Sequence, residues 1–124
     1  MTEHVLGLGG VFLKAQDPAR LAAWYARALG VSTQEFGGTF MTQFALPEGP
    51  DGQTVWSLFP HEASYFPGKA MVSFRVRDLD AMLAQLRAFG AEADEHVEDS
   101  DFGRFGWVTD PEGNRIELWQ PTTA

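Results

Sequence analysis

Two stretches of the chain, VFLKAQDPARLAAWYARALGV (residues 11–31) and VSFRVRDLDAMLAQLRAFGA (residues 72–91), share one layout, and this repeat limits the possible folds most. Each opens on an alternating strand, marked by Val11, Leu13 and Ala15 in the first and by Val72, Phe74 and Val76 in the second. Each then places an aspartate, Asp17 or Asp78, where a carboxylate can cap a helix N-terminus. Pro18 follows the first of these, at the helical position where a missing N–H costs nothing. The helices are amphipathic. Leu21, Trp24, Tyr25, Ala28 and Leu29 share one stripe, and Leu79, Met82, Leu83, Leu86 and Phe89 share the other. Both helices run to a glycine, Gly30 or Gly90, suited to a left-handed cap. Strand-like runs follow, over about 32–37, 39–46 and 53–60 in the first half and about 91–96, 104–109 and 114–120 in the second.

The expected fold is therefore α+β: two tandem βαβββ modules forming a cupped mixed β-sheet with the helices outside. The modules cover about 5–60 and about 70–121 of a single domain, 1–124, because 124 residues suit one core rather than two. Residues 61–70, HEASYFPGKA, read as the linker, punctuated by Pro60, Pro67 and Gly68. The acidic run Glu92–Asp101 reads as a solvated edge strand and loop, its charges discouraging edge pairing.

Composition narrows the function classes. The absence of cysteine excludes a disulfide framework, a thiol nucleophile and a Cys-based metal site. A net charge of −8 argues against a nucleic-acid partner and suits a cationic ligand, although solubility alone also accounts for it. No run is long enough to span a bilayer, so no membrane partner is expected. The N-terminus lacks the basic region of a signal peptide, which points to the cytoplasm.

DPEGN (110–114) is a hairpin signal, with Pro111 at the first central position of a type I turn and Gly113 supplying a left-handed residue. This turn sets Val108 opposite Ile116 and Trp107 opposite Glu117. Alternation then turns Val108, Ile116 and Leu118 toward the helix, and Phe105, Trp107, Arg115, Glu117 and Trp119 to the other face. Three large aromatics beside a carboxylate suit a ligand cleft better than bare solvent.

The paired modules, the helix DPARLAAWYARALG and the closing DPEGNRIELW resemble the vicinal oxygen chelate superfamily over nearly the whole chain. That superfamily includes glyoxalase I, bleomycin-resistance proteins, fosfomycin-resistance enzymes and extradiol dioxygenases. The resemblance implies metal ligands, typically His, Gln or Glu, on the first and last strand of each module. The glutamate of its Ile-Glu-Leu motif is Glu117 here. Aligning TVWSL (54–58) with NRIEL (114–118) puts Ser57 at the matching position, and counting back from the capping aspartates gives Gly10 and Met71. Glycine has no side chain, a serine hydroxyl is a poor ligand, and a thioether favours soft metals.

The resemblance thus points to a member without metal or cofactor, of the bleomycin-resistance type. It would be a small-molecule-binding homodimer enclosing a planar or cationic ligand in an aromatic cleft. The alternative is a glyoxalase-like lyase or another enzyme of the superfamily using a non-standard site. The candidate ligand-binding residues are Glu117, Trp107, Trp119, Phe105, Phe12, Ser57, Met71 and Arg75, and no catalytic residue is assigned. The competing reading makes Glu117 a leftover carboxylate balanced by Arg115, Arg75 or Lys14. Dimerisation is expected because concave apolar faces would otherwise be exposed. His4, His61 and His96 read as surface residues, with a cleft base the minor option for His61, and Trp24, Tyr25 and Trp56 read as helix-side core. GLGG (7–10) precedes a strand and is no phosphate loop.

Overall fold

The two halves adopt the same order of elements in a computed structural model that describes residues 2–45 and 53–122. Among the described residues there are two helices and nine strands, an α+β fold. The chain divides into one unit of residues 10–71 and another made of residues 1–9 with 72–124.

The first unit contains β1 (Gly7–Ala15, whose first residues count with the other unit), α1 (Pro18–Leu29), β2 (Gln34–Phe36), β3 (Thr39–Ala45) and β4 (Gln53–Pro60). The strands pair in the order β2-β3-β4-β1, with β1 parallel to β4 and the other pairs antiparallel. Asp17 caps α1 by accepting from the Arg20 N–H at 3.1 Å, and Gly30 closes it at φ 71°. Tyr25 packs on Trp56, with ring centroids 4.6 Å apart, which puts Trp56 on the helix side. Trp24 departs from the core reading. It is 49% exposed and meets Tyr25 edge-on at 5.1 Å, because Tyr25 already fills the place over Trp56.

The second unit contains β5 (Ala70–Arg75, whose first two residues count with the first unit), α2 (Leu79–Phe89), β6 (Glu92–Ala93), β7 (Glu98–Ser100), β8 (Gly103–Thr109) and β9 (Arg115–Pro121). Here β5 runs parallel to β9, β9 is antiparallel to β8, and β6 and β7 both pair with β8. The acidic edge is thus two short strands rather than one. Asp78 caps α2 through the Ala81 N–H at 3.1 Å, and Gly90 ends it at φ 97°. The core lies between α2 and the sheet, where Leu79, Met82 and Leu83 meet Val76, Val108 and Leu118. Phe89, placed on the same stripe by periodicity, is 71% exposed at the helix end.

Residues 61–70 are more than a linker. Phe66 is 1% exposed and meets Phe59 edge-on at 5.4 Å, while Tyr65 stacks on Phe59 at 5.8 Å. Phe12 joins the same cluster through Phe59 at 5.7 Å and Tyr65 at 6.4 Å. Among the described residues, no helix is long and apolar enough to cross a membrane.

Candidate functional site

The Asp110–Asn114 turn fixes the register of the β8–β9 hairpin. The Gly113 N–H donates to the Asp110 carbonyl at 3.0 Å, the Asp110 N–H donates to the Asn114 carbonyl at 2.9 Å, and Gly113 has φ 89°. The Asp110 carboxylate accepts from the Glu112 and Asn114 backbone N–H groups and from the Asn114 side-chain amide. Val108 therefore pairs with Ile116, Trp107 with Glu117, and Phe105 with Trp119. Since Val108 and Leu118 pack on α2, Phe105, Trp107, Glu117 and Trp119 occupy the opposite face.

That face carries most of the candidate residues. Glu117 is 3% exposed, and its partner on β5 is Ser73. Phe105 and Trp119 stack with centroids 6.0 Å apart and planes 4° apart, and the Trp119 indole N–H donates to the Phe102 carbonyl at 2.8 Å. Arg75, opposite Trp119 on β5, is buried and donates through Nη1 to the Leu8 carbonyl at 3.1 Å. The other two cations considered for Glu117 have partners of their own. Arg115 pairs with Asp94 at 2.9 Å, and Lys14 donates to the Phe66 carbonyl and stands 4.8 Å from that ring.

Trp107 is covered as well as buried. His96 lies parallel to its ring at 5.9 Å, and the Arg115 guanidinium stands 5.1 Å from the ring centroid. His96 is exposed, in line with the sequence reading, but also serves as a cover for Trp107, which no spacing rule indicates.

Two glycines of the N-terminal GLGG run help to shape this face. A Cβ at Gly7 would come within 2.7 Å of Arg75 Nη2, and one at Gly9 within 2.9 Å of Ser73 Oγ and 3.0 Å of Trp119 Cε3. At Gly9 the strand lies against Ser73 and the Trp119 ring so closely that a Cβ would force them to shift, whereas at Gly7 only the mobile end of Arg75 would have to move. Ser73 is 1% exposed, and its Oγ has no hydrogen-bond partner among the described residues. Such a group costs free energy unless something satisfies it.

Phe12, Ser57 and Met71 belong to the first unit. Phe12 pairs with Ser57 in the β1–β4 register, as Ser73 pairs with Glu117 in the other module, so Ser57 is the counterpart of Glu117. Ser57 and Met71 are buried. Gly10 leaves no room for a ligating side chain, since a Cβ there would sit 2.7 Å from the Val55 carbonyl oxygen. None of Gly10, Ser57 and Met71 offers a donor that a hard or borderline divalent cation prefers. Among the described residues, no three His, Cys, Asp or Glu side chains cluster closely enough to hold a metal ion.

A duplicated βαβββ module with a glutamate in the last strand defines a member of the vicinal oxygen chelate superfamily. Within it, the chain belongs to the glyoxalase-like domain family, whose profile matches residues 10–119. The structure is similar to methylmalonyl-CoA epimerase from Mycobacterium tuberculosis, 25% identical over 99% of this chain and 93% of that one, with a TM-score of 0.68. It also resembles Streptomyces coelicolor methylmalonyl-CoA epimerase, with 17% identity, coverage of 97% and 100%, and a TM-score of 0.72. A third likeness is to the Mn(II)-bound glyoxalase from Novosphingobium aromaticivorans, with 17% identity and a TM-score of 0.69. The match spans 98% of this chain and 43% of that glyoxalase. No curated protein sequence matches the chain.

Proposed function

We propose that this chain is a small-molecule-binding protein of the bleomycin-resistance type, taking a planar or cationic ligand on its Glu117 face without a metal. The observation that carries this reading is the parallel Phe105–Trp119 pair on the same sheet face as a carboxylate only 3% exposed. Stacked rings offer flat apolar area to a planar ligand and an attractive face to a cation, worth about 0.5–2 kcal/mol each. A buried carboxylate adds charge where water screens it poorly. The Ser73 hydroxyl supplies a hydrogen-bonding group that has no partner among the described residues. The reading carries with it a cytoplasmic homodimer, for which light scattering is the check.

A second reading, an enzyme of the superfamily, is favoured by the likeness to the Mycobacterium tuberculosis epimerase along nearly the full chain. It requires chemistry that does not route through the usual metal, given Gly10, Ser57 and Met71.

The test is a thermal-shift screen of planar and cationic small molecules, followed by titration of any hit against wild type and Glu117→Gln. A true ligand at 100 times its Kd stabilises by about 2.7 kcal/mol. Loss of the carboxylate should weaken binding by about 1.5–3 kcal/mol, the scale of a charge-assisted hydrogen bond. If Glu117 serves only to balance a buried cation, Glu117→Gln loses stability while affinity stays put, and the recognition role is wrong.

A further inference from the structure

The chain has two lysines, Lys14 and Lys69, and both line a single cavity in the first unit, together with His61, Gln16 and Gly68. We propose that this cavity binds a phosphate group. The inference is independent of the Glu117 face, which belongs to the other unit.

The lysines meet because the Lys14 backbone N–H donates to the Lys69 carbonyl at 2.8 Å, joining β1 to the turn that passes through Gly68 at φ 74°. Lys14 is preorganised. Its ammonium donates to the Phe66 carbonyl and stands 4.8 Å from the centre of that ring. An ammonium has three hydrogens, so this one bond leaves donors for a ligand. His61 approaches Glu62 through Nε2 at 3.3 Å, and its Nδ1 is a second polar edge. Gln16 adds an amide.

The cavity holds about 360 Å³, at the small end of the range of about 300–1,000 Å³ typical of ligand pockets. Among the described residues no acidic side chain lines it, although acidic residues outnumber lysine and arginine 17 to 9 in the chain. Two like charges around one concavity raise its potential and draw in an anion. Lysine binds phosphate as a point charge and needs no bidentate geometry, which suits a site built from two ammonium groups rather than a guanidinium.

Inorganic phosphate is the probe, with sodium chloride at matched ionic strength as the blank and acetate as the competing oxyanion. Calorimetric titration of the full chain should show phosphate binding above the chloride blank and stronger than acetate. Lys69→Met, at an exposed position, should weaken it at least ten-fold, and Lys14→Met likewise. Arg104→Met, in the other unit, should leave it unchanged. Should Lys14→Met fail to fold, Lys69→Met decides alone. Phosphate binding no better than chloride or acetate overturns the proposal, as does unchanged affinity in Lys69→Met.

Discussion

Arg75 and Glu117 are opposite charges buried on one face of adjacent strands, and at the scale of single residues they matter most. Removing one of two such charges leaves the other in a medium that solvates it poorly, at a cost of about 3–5 kcal/mol. Arg75→Met and Glu117→Leu should each lose stability on that scale in urea denaturation. The double variant should recover most of it, since apolar replacement of a whole buried pair is often neutral. Losses that simply add would show that the two groups do not depend on each other. The face occupied by Glu117 follows from five turn residues and period-two alternation, and so was legible in the sequence. The contributions of Ser73, Gly7 and Gly9 were not. What gives the glycines their meaning is a clash with side chains more than sixty positions away, and a one-dimensional pattern carries no such information.

Among the elements, the parts legible in advance were those governed by local chemistry. The Asp17 and Asp78 caps, the Gly30 and Gly90 termini and the Asp110 turn each depend on contacts within a few residues. The misread parts depend on distant packing. Trp24 lies outside because Tyr25 takes the place over Trp56, and residues 61–70 fold onto Phe59 and Phe12 through Tyr65 and Phe66. The turn also offers a titration test. The Asn114 side-chain amide, and then the Asn114 backbone N–H, hold the Asp110 carboxyl below the usual aspartate value. A lowered folded value means that the turn's contribution is complete above the unfolded carboxylate pKa and fades as pH falls through the lowered one. Carbon-detected NMR should find the Asp110 midpoint below that of an unstructured aspartate, and Asn114→Ala should move it upward. An unchanged midpoint in that variant would assign the shift to some other group.

For the whole molecule, the decisive question is whether the chain retains the metal dependence that its superfamily implies. In both modules the first strand lies parallel to the last and the last lies antiparallel to the one before it, and Ser57 and Glu117 hold matching registers in their modules. Yet the matched positions no longer match in chemistry. Gly10 has no room for a side chain, Met71 offers a thioether, and Ser57 offers a hydroxyl, so of the four positions Glu117 is the one that carries a donor suited to a hard or borderline cation. Structural metal sites that remain filled contribute directly to folding free energy, and chelation then lowers stability. Here the purified protein should contain no stoichiometric zinc, nickel, manganese or iron by elemental analysis. EDTA should leave its melting temperature unchanged, and added Mn²⁺ or Zn²⁺ should not raise it, because one carboxylate gives a cation little preference for the folded state. A drop of several degrees on chelation, reversed by one equivalent of a divalent ion, would mean that donors beyond these four positions assemble a working site. The enzymatic reading would then displace the binding one.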